Sequence, residues 1–244
     1  MSCVIPAYER EREDNSMSVT AYHFTTDTLR DGRPIPAIGE TLRHEGKIEL
    51  CKSGLHASMC PWDALSHAPG PLLHRVVVGG EILYGNDKLV ASERTIRASI
   101  DATDLLRSFA RQCALDVIHL WDAPDVVRKY LETGDESLRA AARAAARDAA
   151  KAAITAAKAA TWAATAEAVT WAAAGVAVKA TTTAALPAAT TAAKAATWAV
   201  TWEAREAREA REAWETREAW EAARNAAEKA QHKRFKTMVD EALA

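Results

Sequence analysis

The sequence has little cysteine and none of the spacings by which cysteine and histidine hold metals. Its four cysteines, Cys3, Cys51, Cys60 and Cys113, are scattered without a CxxC pair. This pattern excludes a zinc ribbon or a disulfide framework and is typical of a reducing cytosol. The seven histidines include no HExxH element. We therefore expect small buried cysteines, hydrogen-bonded histidines and no metal site.

Fingerprints of catalysis and cofactor binding are absent as well. No phosphate-binding loop, dinucleotide fingerprint or nucleophile elbow occurs. The GGE at residues 79–81 is too short to cradle a phosphate. The residues alone therefore predict no cofactor and give no positive sign of an enzyme.

The chain also lacks a long apolar run. Its most apolar stretch, residues 168–178, lies between Glu167 and Lys179 and is about half of the roughly 20 residues that a spanning helix needs. Charged residues stand where a signal peptide has its apolar core. We expect no membrane span and a cytoplasmic location. The polar residues 1–17 are predicted to be a disordered extension, with Met17 as an alternative start.

Residues that build hydrophobic cores become rare after about residue 135. Ala, with Thr, Trp, Glu and Arg, then makes up most of the chain, and Ala has the highest helix propensity. We predict an α+β fold with a β-rich head over residues 18–134, in which helices pack on a small sheet. An Ala-rich, all-α repeat arm follows over residues 135–230. A C-terminal helix over residues 231–244 caps the arm or packs on the head.

Residue alternation predicts the strands of the head. They are expected at residues 20–25, within 48–58, at 72–84, and once or twice over 88–99. Gly79 and Gly80 indicate a bulge or a tight turn in the third of these. A short helix is predicted to begin at Pro61 and to end before Pro69.

The hydrophobic period changes from two to 3.6 after Ile100. One helical face is formed by Leu105, Leu106, Phe109, Cys113, Val117 and Leu120. Asp101 is a predicted N-cap of this helix. A second helix is expected to begin near Asp122, to hold Pro124 in its first turn, and to end at Gly134.

The arm is predicted to form two long helices. The first begins near Ser137 and breaks near Pro187, because proline in a helix interior costs about 3 kcal/mol. A basic row on the first helix consists of Arg139, Arg143, Arg147 and Lys151. A solvated face explains this row better than a binding stripe.

Internal repeats support a helical arm. The sequence TAAKAATWA occupies residues 155–163 and again 191–199, an offset of ten α-helical turns that returns to the same face. EAREAREAREAW at residues 203–214 repeats every three residues and so forms no heptad seam. That segment favours a single exposed helix.

Six tryptophans are the candidate interaction residues of the arm: Trp162, Trp171, Trp198, Trp202, Trp214 and Trp220. On a surface of small residues, large aromatic side chains favour self-association or docking on the head. We therefore expect the partner to be a second copy of the chain or another protein. Base stacking in single-stranded nucleic acid is a weaker alternative, because Glu interleaves with Arg and the net charge is −2. Ice binding is a minor alternative, since Thr lacks a strict 11-residue recurrence.

The last segment restores core residues at helical spacing. Phe235, Met238, Val239 and Leu243 lie on one face, which predicts packing on the arm or on the head.

Several head segments, AYHFTT, HEGKIELCKSGLHAS, LLHRVVVGGEI and KLVASERTIRASID, carry a resemblance. With them the head resembles a domain of unknown function found in phage and prophage proteins, which often carry long low-complexity tails. The GLHAS segment, followed by a short helix and a V-x-x-x-GEI strand, is the most specific part. The resemblance covers roughly residues 20–105. It implies origin in a mobile element, action in the bacterial host, and no known activity.

A second resemblance concerns two short motifs. YHFTTDTL is similar to the Tyr-His-Gly-Thr strand of ADP-ribosyltransferase-like folds, and GLHASMCPWDALSHA is similar to their second motif. This likeness implies that His23 holds a nicotinamide ribose, that His56 stacks on the ring, and that Glu93 orients the ribose and stabilises oxocarbenium character. Phe24 replaces the family's Gly, and His56 replaces its Tyr.

The leading hypothesis is therefore a non-enzymatic phage or prophage accessory protein. Its head recognises a partner, and its arm serves as a spacer or oligomerisation element. An NAD-using, ADP-ribosyltransferase-like enzyme is the alternative.

Overall fold

The computed structural model describes residues 18–159 and 215–244. These residues fall into two compact units. The first consists of residues 18–105 together with the C-terminal residues 234–244, and the second lies within residues 106–233. The first unit therefore combines two segments that are far apart in the sequence.

Five antiparallel strands build the first unit. They are β1 (Val19–Thr25), β2 (Thr41–Arg43), β3 (Leu55–Ala57), β4 (Leu72–Tyr84) and β5 (Leu89–Asp101). The sheet order is β1-β4-β5-β2, and β3 also pairs with β5. β4 and β5 are joined by the sequence Gly85-Asn86-Asp87-Lys88, whose first three residue types favour turns. The Gly85 N–H donates to the Lys88 carbonyl at 2.7 Å.

The sheet closes on itself next to β3. The Tyr22 N–H donates to the Ser58 carbonyl at 2.7 Å, and the Ser58 N–H returns a bond to the Tyr22 carbonyl at 2.9 Å. Because β3 pairs with β5 and Ser58 bonds to β1, the segments β1, β4, β5 and β3 form a hydrogen-bonded circuit. One side of every strand in the circuit therefore faces a shared interior.

Apolar side chains from all four of these strands fill this interior. A buried cluster contains Val19, Ala21, Ala57, Val76, Val78, Leu89, Ala91 and Ile96. The register breaks between Gly79 and Ile82, so the expected irregularity at the glycine pair is a β-bulge. Gly80 has a φ of +70°, and a Cβ there would lie 2.1 Å from Ser92 Oγ. A side chain at this position would therefore force the bulge apart.

Some expected strand boundaries were wrong. The segment 48–58 contributes only the short strand β3, because Glu49 to Ser53 form a turn. Residues 88–99 belong to one long strand, β5, and β2 was not predicted. A three-residue strand such as β2 is too short to show a period. The helix α1 (Pro61–Ser66) begins at the predicted proline.

The C-terminal residues contribute buried side chains to the first unit. Phe235 and Val239 are fully buried. The Phe235 ring meets Trp62 edge to face, with 6.0 Å between the ring centroids. The Tyr22 hydroxyl donates to Asp240 Oδ1 at 2.7 Å. The chain terminus is thus an integral part of this unit.

Four further helices are described. They are α2 (Thr103–Asp116), α3 (Asp125–Thr133), α4 (Arg139–Ala159) and α5 (Glu215–Ala242). Single 3₁₀ turns span Ile118–Leu120 and Glu136–Leu138. The combination of a sheet with helices confirms the α+β class.

Helix ends follow the capping rules, and the beginning of α3 is the one expected boundary among them that was wrong. Asp101 Oδ1 accepts a bond from the Thr103 N–H at 2.9 Å, as its predicted capping role requires. α3 begins after Pro124 and not at Asp122, because Pro124 has an extended ψ of 143°. Gly134 ends α3 with a φ of +69°, a conformation that glycine adopts without strain.

Parts of the predicted arm lie outside the described residues. These include the expected break at Pro187, the second TAAKAATWA copy, the EAR repeats, and Trp162, Trp171, Trp198, Trp202 and Trp214. Trp220 lies in α5, but its side chain is also outside the description. Among the helices that the structure does describe, none combines the length and the apolar character needed to cross a membrane.

Candidate functional site

The interior side of the closed sheet carries a cluster of polar side chains among its apolar ones. His23 of β1 and His74 of β4 are directly paired, so their side chains point to the same side of the sheet. Their ring centroids are 6.4 Å apart with an interplanar angle of 31°. The charge of Arg94 acts on both imidazoles.

His74 is fixed by hydroxyl groups on both neighbouring strands. Its Nε2 lies 2.8 Å from Thr25 Oγ1, and its Nδ1 lies 2.6 Å from Ser99 Oγ. Burial, followed by the charge of Arg94, lowers the pKa of His74 to about 4. The ring is therefore neutral at physiological pH, with both nitrogens occupied.

His56 on β3 is fixed by the turn that precedes its strand. The Cys51 N–H donates to His56 Nε2 at 2.9 Å, so this nitrogen is an acceptor. Nδ1 lies 3.2 Å from the Gly54 carbonyl and carries the proton. Cys51 has a φ of +66°, the left-handed conformation that aims its N–H at the ring. Burial and nearby cations lower the pKa of His56, which agrees with this neutral tautomer.

Arg94 brings a buried positive charge to the same side of the sheet. It pairs with Val78, and Val78 pairs with Val19, so all three side chains share the interior face. Its exposed fraction is 5%. Nη1 donates to the His56 carbonyl at 2.7 Å. Burial lowers the pKa of Arg94 to about 10, but the group remains charged at neutral pH.

No carboxylate balances this charge within the described part of the chain. Arg94 forms no ion pair there, and burial alone accounts for its lowered pKa. Buried charges are normally paired, because an unpaired ion loses its hydration without compensation. Arg94 is the clearest exception to that rule in the described residues.

His23 differs from the other two histidines in having unused ring nitrogens. Its side chain is half-buried, and it makes no hydrogen bond to any residue of the described ranges. Burial lowers the pKa of His23 well below its ordinary value, and the charges of Arg94, His74 and His56 act in the same direction. A neutral imidazole with a donor and an acceptor thus stands within electrostatic range of the buried guanidinium.

Two further cations add to the positive potential. The charges of Lys88 and Arg30 act on His56 together with Arg94 and lower its pKa. No acidic group acts on His23, His56 or His74. The cluster is therefore positive, and no acidic side chain of the described residues acts on its histidines. Such a site attracts anions.

Of the three residues suggested by the second resemblance, the structure brings two together. His23 and His56 both lie in the cluster. Glu93 precedes Arg94 on β5 and therefore points to the opposite side of the sheet. There its Oε1 forms an ion pair with Arg43 of β2. Glu93 is thus on the other side of the sheet from His23.

Arg94 was not identified as a site residue from the sequence. It lies in the polar run Ser92-Glu93-Arg94-Thr95, which is typical of an exposed strand. Its burial comes from the closure of β3 and Ser58 onto β1, a contact between distant segments. His74 lies in the strand predicted at residues 72–84, but its pairing with His23 depends on the strand register.

No alternative site of comparable character is present in the described residues. They contain no group of three or more His, Cys, Asp or Glu side chains that could hold a metal ion. An open groove of about 500 Å³ follows α4 and is lined by Glu136, Arg139, Ala140, Arg143, Ala144 and Arg147. This groove contains three members of the basic row, and Arg143 and Arg147 are exposed. It is a surface feature without a buried polar group.

Comparison with protein families gives one match. A domain of unknown function (DUF7666) is found at residues 19–108. It spans all five strands and the beginning of α2, so the whole polar cluster lies inside it. Comparisons with curated proteins and with solved structures gave no match.

Proposed function

We propose that this protein is a binding module whose DUF7666 domain takes up an anionic ligand at Arg94. The supporting observation is the buried guanidinium without a carboxylate partner. Buried ionisable groups with a strongly perturbed pKa are concentrated at functional sites, and a ligand of opposite charge would compensate the buried charge of Arg94. His23 supplies a hydrogen-bonding group within electrostatic range of Arg94.

The proposal favours binding over catalysis. Among the three histidines, both nitrogens of His56 and of His74 are held by the protein. The carboxylate Glu93 is on the opposite side of the sheet, paired with Arg43. The cluster therefore has recognition groups for an anion but no carboxylate to act as a base or to stabilise an oxocarbenium ion.

A phage or prophage origin is part of the same proposal. It is supported by the resemblance of the GLHAS segment and by the Ala-rich composition after residue 135. In this view the anion-binding domain recognises a partner molecule, and residues 135–230 serve as a spacer or oligomerisation element in the bacterial cytoplasm. Sedimentation of the full chain tests the oligomerisation element, because a monomer at tens of micromolar contradicts it.

Calorimetric titration of the full chain with sodium sulfate, phosphate and acetate tests the binding site. We expect at least one of these anions to bind, and Arg94→Met to weaken binding at least about tenfold, since a hydrogen bond to a charged group contributes about 1.5–3 kcal/mol. Arg43→Met is the matched control, because Arg43 is 71% exposed and pairs with Glu93 on the other side of the sheet. Absence of binding by all three anions, or equal binding by Arg94→Met, contradicts the proposal.

The same protein tests the enzymatic alternative. NAD carries phosphates and is therefore expected to compete with the simple anions without being consumed. Release of nicotinamide that His23→Ala abolishes would establish the enzyme in place of the binding module.

A further inference from the structure

We infer that the ligand group at Arg94 is a doubly charged oxyanion, such as a terminal phosphate, and that His23 takes up a proton when it binds. This inference rests on the proposed anion-binding function and specifies the class of its ligand. The choice of His23 depends on which histidine ring nitrogens already form hydrogen bonds within the protein.

The three histidines are not equivalent as proton acceptors. His56 already accepts from Cys51 at one nitrogen and donates to the Gly54 carbonyl at the other. His74 contacts a hydroxyl at each nitrogen. His23 alone among the three has both nitrogens unused within the described residues. A second positive charge therefore arises at His23 with the least rearrangement.

Charge balance then selects the ligand. A singly charged carboxylate neutralises Arg94 and leaves His23 uncharged. A dianion retains one negative charge after pairing with Arg94, and a protonated His23 neutralises it. A phosphate monoester has its second pKa near 6 and is mostly a dianion at pH 7. The charges of Arg30 and Lys88 add to the positive field at His56.

The free protein keeps His23 neutral for identifiable reasons. The groups that act on it are Arg94 from β5, His74 from β4 and His56 from β3, and burial opposes its charged form as well. A bound dianion reverses the sign of the local field. The pKa of His23 then rises, and binding is coupled to proton uptake.

Calorimetric titration with sodium sulfate and inorganic phosphate tests this coupling. Sulfate remains a dianion between pH 6 and 8, so a change in its affinity reports on the protein. At pH 7, in two buffers of different ionisation enthalpy, we expect uptake of about one proton per sulfate. From pH 6 to pH 8, sulfate affinity is expected to fall about tenfold per pH unit, the slope for uptake of one proton. Acetate is expected to bind at least about tenfold more weakly and without proton uptake.

Two variants assign the proton. His23→Phe keeps a ring of similar size but cannot be protonated, so we expect it to abolish the proton uptake and the pH slope. His67→Gln is the control, because His67 is an exposed histidine of the same unit that pairs with Asp87. It should leave both quantities unchanged.

The outcomes separate this inference from the proposed function. Sulfate binding that depends on Arg94 but takes up no proton overturns the inference and leaves the anion site in place. Tighter binding of acetate than of sulfate also overturns the inference and leaves the anion site in place. Proton uptake that survives in His23→Phe has the same consequence. If none of the anions binds, both conclusions fail.

Discussion

Replacement of Arg94 by Met is expected to stabilise the ligand-free protein while it weakens anion binding. Met has a similar length, is uncharged and adapts to irregular interiors. Burial lowers the pKa of Arg94 to about 10. Since one pKa unit corresponds to about 1.4 kcal/mol, burial of this charge has an unfavourable free energy of about 3 kcal/mol.

The hydrogen bond to the His56 carbonyl acts in the opposite direction. A bond from a charged donor contributes about 1.5–3 kcal/mol, and Nη1 makes it at 2.7 Å. With about 2 kcal/mol lost and about 3 kcal/mol regained, the free energy of unfolding should rise by about 1 kcal/mol. For a chain of this size that is an increase in Tm of about 2–4 °C.

Thermal and urea unfolding in a chloride-free, phosphate-free buffer measure this change. Arg43→Met is again the control, and an exposed ion pair predicts a change below about 1 kcal/mol in the unfavourable direction. If Arg94→Met lowers the free energy of unfolding by more than about 2 kcal/mol, the reasoning is refuted. The Arg94 charge would then be compensated in the ligand-free protein. Sulfate should reduce the difference in the free energy of unfolding between Arg94→Met and the wild type. Only the wild type gains stability from a bound anion.

Three other predictions concern the fold around the site. Gly54→Ala should destabilise the protein by more than about 2 kcal/mol in urea unfolding, because Gly54 has a φ of +110° and the new Cβ would lie 2.5 Å from Val90 Cγ2. Gly32→Ala, at a φ of +81° with nothing within 4 Å, should lose only about 1 kcal/mol, and equal losses would contradict the steric argument. Phe235→Ala removes a fully buried ring and should lose about 3–5 kcal/mol in the same assay; a loss below 1 kcal/mol would show that the C-terminus is dispensable. His74, with a pKa near 4 in the folded state, binds a proton more readily when unfolded, so stability should fall by about 2–3 kcal/mol from pH 6.5 to pH 4; His74→Gln should reduce that slope, and an unchanged slope would exclude His74 as its source.

The sequence predicted those parts of the fold that depend on local pattern. Alternation located β1, β4 and β5, Pro61 marked the beginning of α1, and Gly134 marked the end of α3. These signals are local because a side chain in a strand or helix is placed by its nearest neighbours in the chain. The bulge at Gly80 was predicted for the same reason, since only glycine adopts that backbone conformation without strain.

The candidate site was only partly predictable, because it depends on contacts between distant segments. His23 and His56 were selected by resemblance of short motifs. Arg94 donates a hydrogen bond to the His56 carbonyl, and its charge acts on His23. Arg94 itself lies between two polar residues, and its sequence neighbourhood gives no sign of burial. Its environment arises only when Ser58 bonds to Tyr22 and closes the sheet.

The unit that contains the candidate site is built from two distant parts of the chain. Residues 234–244 belong to the same unit as residues 18–105, and Tyr22 of β1 donates a hydrogen bond to Asp240. Tyr22 is also the residue whose backbone bonds to Ser58 and closes the sheet. A fragment that ends at residue 134 therefore loses Asp240, the partner of Tyr22, and the buried Phe235 ring that contacts Trp62. Loss of anion binding in such a fragment would report the missing terminus, and only substitutions in the full chain separate the role of Arg94 from the stability of its surroundings.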